Sequence, residues 1–320
     1  MLNHLLCRTL LLFVSGGIYF SVHGQKYLQK KVLHTVLWKI SGQGLTNPSY
    51  LFGVDHVQAY EPFVKKYPQL DSVMALCEEL IVENIPESGG GGVDYNLLYF
   101  QSDSSIAHML KPDQYQRLVK YINIKSGNNK DVLNNLVKMR PQLLVMAIPM
   151  LSGEQLANET SEVQMMDQGL LQAAAAKGMQ KVGLEDAHER SLAVLNGLTD
   201  KEAVRQVLQE IKGKSSKQTK SNKRRQTKNN SQNGKRELVR DQYDALQIHY
   251  YFNRSIKGND YGGVQFRNQL WLGKIPHLLE QHCSLICVGL AHLKTKEGLI
   301  RQLRQLGYNV ETIPMTATTD

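Results

Sequence analysis

Two short stretches of this chain carry the same chemistry. Gly53-Val54-Asp55-His56 and Gly289-Leu290-Ala291-His292 each set an imidazole three residues after a glycine. Each closes a short apolar run, Tyr50–Gly53 (YLFG) and Leu285–Gly289 (LICVG), that reads as a strand. Two further runs of that kind end in acids: Leu80–Asn84 (LIVEN) holds Glu83, and Gln180–Glu185 (QKVGLE) holds Glu185. In open α/β sheets, ligands bind outside the carboxyl ends of the strands. If these four strands run parallel, two imidazoles and two carboxylates meet on one rim.

Such a rim suits two chemistries. Two histidines and a carboxylate can hold a divalent metal, such as Mn, Co, Zn or Fe, and leave positions open for water and substrate. The same groups can instead activate water as general base and acid without a metal. Each piece alone describes a structural residue equally well. A lone Gly-x-x-His is often a loop histidine, Glu83 can be a structural partner, and Asp55 reads as a ligand or as an Asx-turn residue. The joint pattern carries the argument. His34, His108, His188, His249, His277 and His282 have no matching context and read as surface or core.

Elements must hold these groups in place. Strands are expected over Thr35–Ser41, Tyr50–Gly53, Leu80–Asn84, Gln180–Glu185, Leu285–Gly289 and Tyr308–Ile313. Helices are expected over Val64–Cys77, Asp113–Tyr121, Asp131–Met150 (with Pro141 inside), Glu162–Lys177, Glu202–Ile211, Glu237–Phe252, Val264–Gln281 and Lys296–Leu306. The alternation predicts an α/β or α+β layered fold, a central sheet flanked by helices.

The chain has 320 residues, with 38 Lys+Arg against 29 Asp+Glu and a net charge of +9. The surplus is local. Residues 212–236 contain ten of the basic residues and no acid, so the rest of the chain is near neutral. A nucleic-acid protein would spread its positive charge over a folded face, so no specific nucleic-acid partner is expected. Residues 213–236 also lack any aliphatic or aromatic side chain, apart from lysine and arginine stems, and should be disordered. They are expected at the tip of a helical hairpin. That tip is either a bland insertion or a contact for an anionic surface.

Residues 1–24 read as a secretory signal peptide, with an apolar run from Thr9 to Val22 and cleavage near Gly24. The run is short for a membrane span of about 20 residues, although a retained anchor is the alternative. Residues 25–320 would then form one exported domain, periplasmic or secreted. Cys77, Cys283 and Cys287 remain. Cys283 and Cys287 would lie about 13 Å apart along one strand, too far for a disulfide. All three are expected as buried free thiols.

At these residues the chain resembles the TraB/GumN family, which is related to the Tiki proteases and more distantly to the erythromycin esterases. The matching stretches are Leu37-Trp38-Lys39-Ile40-Ser41-Gly42, Pro48-Ser49-Tyr50-Leu51-Phe52-Gly53 with His56, Ile81-Val82-Glu83, Gly183-Leu184-Glu185, Arg267-Asn268, and Val288-Gly289 with His292-Leu293 and Gly298-Leu299. The resemblance implies a mixed sheet in two similar halves, each giving one Gly-x-x-His to a shared site. It implies a catalytic set of His56, Glu83, Arg267 and His292; Glu185, Asn268 and Asp55 are expected beside that set as supporting residues. In Tiki-like members a divalent metal (Mn, Co or Zn), here on His56, Glu83 and His292, serves peptide hydrolysis. In the esterase branch a small ester is cleaved without metal. The expectation is an exported, metal-dependent peptide hydrolase; a metal-independent ester hydrolase and a non-catalytic exported binding or scaffold protein are the alternatives. The chain departs from the family pattern at Val54, at Asp186 with Arg190, and at Lys294-Thr295.

Overall fold

The structure is a computed structural model and describes residues 31–85, 94–101, 104–151, 164–215, 242–253, 255 and 263–318. Among the described residues there are eight strands: β1 (Lys31–Leu33), β2 (Leu37–Ser41), β3 (Ser49–Val54), β4 (Glu79–Val82), β5 (Gln180–Gly183), β6 (Ile248–Tyr250), β7 (Ser284–Gly289) and β8 (Asn309–Thr312). Six of them form one mixed sheet in the order β5-β4-β7-β3-β2-β8. β5, β4, β7 and β3 run parallel, while β2 is antiparallel to β3 and to β8.

The order follows from side-chain burial. β3 and β7 are buried at all six positions, β4 at all four, and so they lie inside the sheet, covered on both faces. β5 and β8 are largely exposed and close the two edges. The main core joins these strands to Leu70, Met74, Leu170, Trp271, Leu299 and Leu303 of the covering helices. A second apolar cluster is purely helical and includes Leu118, Ile122, Leu136, Leu144, Ile148, Val207 and Ile211. Among the described residues, no helix is long and apolar enough to cross a membrane.

Three expected helices are each divided where a turn residue interrupts the hydrogen-bond ladder. Val64–Cys77 becomes Tyr60–Lys66 and Gln69–Met74 about Pro68. Asp131–Met150 becomes Lys130–Lys138 and Pro141–Met150, since Arg140 before the proline is extended. Val264–Gln281 becomes Val264–Leu272 and Ile275–Gln281 about Gly273.

The expected helix Glu237–Phe252 is a correction. Where described, it holds one helical turn at 242–244 and then β6, antiparallel to β1. Ile248-His249-Tyr250 alternates buried, half-buried, buried, which is the period of a strand. Tyr250 stands edge-on to Trp38 at 5.2 Å, and its hydroxyl bonds Trp38 Nε1 and the Thr35 carbonyl. The helical hairpin thus loses its second arm. Residues 1–24, expected as a signal peptide, and the basic stretch 213–236 lie outside the described residues, except 213–215, which end the helix Asp200–Ser215.

Candidate active site

The four parallel strands end on one side of the sheet. Gly53 lies inside β3, and His56 follows two residues after its end. Gly289 is the last residue of β7, and His292 closes a single 3₁₀ turn, Leu290–His292. Glu83 directly follows β4, and Glu185 stands two residues past β5.

The two glycines make room for each other's motif. A Cβ on Gly53 would fall 2.8 Å from Leu290 Cδ1 and 2.9 Å from Leu293 Cδ1. A Cβ on Gly289 would fall 2.7 Å from His56 Nε2 and 3.2 Å from Glu83 Oε1. Absence of a side chain here permits the closest approach of backbone to chemistry.

Arg267 is the hub. It stands in the helix Val264–Leu272, one turn before Trp271, whose ring lies 4.7 Å from its Cζ. Its Nε donates to Glu185 Oε2 at 2.8 Å and its Nη2 to Glu185 Oε1 at 2.6 Å, a bidentate pair. Nη2 also donates to Glu83 Oε2 at 2.5 Å, and Nη1 lies 3.2 Å from His292 Nε2. Four of the five guanidinium N–H groups are thereby engaged. Trp271 Nε1 donates to Glu185 Oε2 at 3.1 Å, so the fully buried Glu185 carboxylate is well satisfied. Burial opposes the charge on Arg267, but Glu185 and Glu83 outweigh it and keep the guanidinium charged.

The neighbouring hydrogen bonds fix the tautomer of His292. Asn268 Nδ2 donates to the carbonyls of His292 (3.1 Å) and Glu297 (2.8 Å). Its Oδ1 must then be the acceptor facing His292 Nδ1 at 2.7 Å, so Nδ1 carries the proton. His292 Nε2 is left with a lone pair, which Arg267 occupies. The imidazole is 4% exposed, and burial drives its pKa down to about 3. Its 3.7 Å approach to Glu83 Oε1 is therefore not an ion pair at neutral pH.

Glu83 is the opposite case. Burial pushes its pKa up, but Arg267, His292, the Gly289 N–H at 2.7 Å and His56 pull it down to about 2. It stays ionised, a pure acceptor.

His56 differs from all of these. Its side chain is 51% exposed, and Nε2 lies 3.8 Å from Glu83 Oε1. Nδ1 bonds Asp167 Oδ2 at 2.8 Å, and that carboxylate holds the imidazole above its ordinary pKa against the effect of burial. Sequence reasoning missed Asp167. It sits in the first turn of the helix Met166–Ala176, where an acid is ordinarily explained by the helix dipole. Two backbone bonds bring it in: Tyr60 N–H to the Gln164 carbonyl, and Met166 N–H to the Gln58 carbonyl. A local reading of the sequence carries no signal for that bridge.

The site therefore unites His56, Glu83, Arg267, His292, Glu185 and Asn268, with Asp167 added. Asp55 takes the turn role: its Oδ1 accepts the Val57 N–H at 3.3 Å. Asn268 holds His292 rather than facing an open position.

A model of the TraB/PrgY/gumN family matches residues 36–312. The chain belongs to this family. No curated protein and no solved structure matches it. The family match spans all of the strand ends just described, from β2 to β8, so both Gly-x-x-His stretches lie within it.

A divalent metal on His56, Glu83 and His292 can be tested against these positions. In its favour, each imidazole has Nδ1 tied to an acceptor and Nε2 turned toward Glu83, as ligating histidines are held. Against it, Arg267 takes the lone pairs of both Glu83 Oε2 and His292 Nε2, placing a fixed positive charge where the ion would sit. Among the described residues, no group of three or more His, Cys, Asp or Glu is arranged to hold an ion. As they stand, the residues of this family member do not fit a metal.

Proposed function

We propose that this chain is a hydrolase that adds water to an ester or amide carbonyl, with His56 as the general base. The observation that carries the reading is the contrast between the two imidazoles. His292 is buried, neutral and has both nitrogens bonded, so it cannot take a proton without breaking the cluster. His56 is half exposed, with Nε2 open beside an ionised carboxylate and Nδ1 held by Asp167. That is the base-and-orienter arrangement of general base catalysis.

The 3.8 Å between His56 Nε2 and Glu83 Oε1 is too long for a direct bond and leaves Nε2 free to accept from a water bound beside the pair. His56 would take that water's proton and pass it to the leaving alcohol or amine as the intermediate collapses, and Asp167 would stabilise the imidazolium between the two steps. The positive charge of Arg267, pinned by Glu185 and Glu83, would stabilise the oxyanion as the carbonyl is attacked. His292 and Asn268 keep Arg267 and the β7 turn in place. The substrate class is a peptide or a small ester. Export through residues 1–24 is part of the same proposal, resting on the sequence alone.

The test is turnover of ester and peptide panels by the full-length chain before and after exhaustive chelation, beside His56→Ala and Asp167→Asn. Activity that survives chelation and is lost in His56→Ala supports the reading. Activity lost on chelation and restored by Mn, Co or Zn replaces it with the metal-dependent peptidase that the Tiki resemblance implies, with Arg267 displaced by the ion.

A further inference from the structure

At the opposite end of the same strands, two thiols face each other. Cys77 precedes β4 and Cys283 precedes β7, and these strands pair with Glu79 opposite Ser284. The backbone N–H groups of Glu78 and Glu79 both donate to the Cys283 carbonyl, at 2.9 and 3.3 Å. The two sulfurs lie 3.4 Å apart, and both residues are buried. Cys283 Sγ also lies 3.1 Å from the Pro48 carbonyl. Cys287, four residues further along β7, has no such neighbour. Sequence reasoning weighed only Cys283 against Cys287, since a partner 206 positions away leaves no trace in local spacing.

We propose that Cys77 and Cys283 form a disulfide when the chain folds in the presence of a disulfide oxidant. The inference is independent of the chemistry at the strand ends. Rotation about the two Cα–Cβ bonds has little more than 1 Å to close before a bond of about 2.05 Å can form. The shared hydrogen bond holds the Cys77 thiol up and draws the Cys283 thiol down, so Cys283 is the first thiolate. It attacks one sulfur of the oxidant's disulfide and releases one oxidant thiol. The Cys77 thiolate then displaces the second oxidant thiol and closes the S–S bond. The chain loses two electrons and two protons, and the oxidant leaves as two thiols. The bond would clamp together the starts of the two strands whose far ends present Glu83 and His292.

The full-length chain is unfolded in urea and refolded in a reduced/oxidised glutathione buffer, alkylated, and mapped by tryptic mass spectrometry without reduction. The expected product joins peptide 67–117 (the Lys111–Pro112 bond resists trypsin) to peptide 275–294, two hydrogens lighter than their sum. It persists in Cys287→Ser and vanishes in Cys283→Ser. Reduction should lower the melting temperature of the bridged chain by about 5 °C or more. The Cys77→Ser/Cys283→Ser chain should melt at one temperature with or without reductant. Alkylated Cys77 and Cys283, glutathione adducts at both, or a bridge through Cys287 would each overturn the proposal.

Discussion

At the residue scale, the two histidines of one repeated motif have been driven to opposite behaviour by their neighbours. His56→Ala should abolish turnover and change stability by less than about 1 kcal/mol, because the side chain is half exposed. Chemical denaturation beside a rate assay reads both. Asp167→Asn should lower kcat at least about tenfold with little change in KM. It should also move the acid limb of the pH–rate profile downward, since the base works above its pKa and Asp167 holds that pKa up. His292 gives a stability effect instead. Its folded pKa is about 3 against 6.5 when free, so the unfolded chain binds a proton that the folded chain refuses. Stability should be full above about pH 6.5 and decline toward pH 3. Glu83, ionised down to about pH 2 against 4.5 when free, deepens that loss below pH 4.5. Urea midpoints measured across pH 4–8 should show the slope, and His292→Gln should flatten it between pH 5 and 6.5.

At the scale of elements, the cluster is held by charge buried between a helix and three strand ends. Removing one partner of a buried, hydrogen-bonded ion group strands the others. Arg267→Met would leave Glu83 and Glu185 facing each other without their cation. It should cost about 3–5 kcal/mol by denaturant unfolding, the reverse of the His56→Ala outcome. A similar logic applies to the helical turn 242–244 that leads into β6. Tyr243 is buried, and its hydroxyl donates to the Gly53 carbonyl at 2.6 Å, inside the first motif. Tyr243→Phe should cost about 1–2 kcal/mol, visible as a shifted midpoint with an unchanged denaturant slope. Where the sequence was legible, the reason was the same throughout. Buried parallel strands are continuous apolar runs, and a glycine or an acid at their end stands out. Two kinds of feature stayed hidden: partners set by long-range pairing, such as Asp167 with His56 and Cys77 with Cys283, and a three-residue strand flanked by helix-forming residues. Arg267 and Asn268 were reached through the family pattern alone, since nothing about their own helix marks them.

At the scale of the whole molecule, the six-stranded sheet matters more than any one of its segments. The site runs from position 56 to position 292: His56, Glu83, Glu185 and His292 each follow a different strand, while Asp167 and Arg267 come from helices. The basic stretch 213–236 concentrates the positive charge of the chain. Its deletion should leave turnover unchanged while removing retention on anionic vesicles at low salt, measured by co-sedimentation. The paired glycines carry a further consequence. Each motif is built against the space that the other leaves empty, so the two strands tolerate change only together. In a library of single-codon variants scored separately for cellular abundance and for turnover, most damaging changes inside buried strands lower both. Position 289 should be an exception. The methyl added by Gly289→Ala meets the half-exposed His56 imidazole first and the Glu83 carboxylate next, so that variant should lose turnover before it loses abundance. Position 53, packed against Leu290 and Leu293, should lose abundance first. Two glycines of one motif would thus fall into different phenotypic classes, a separation that the paired abundance and turnover scores read directly.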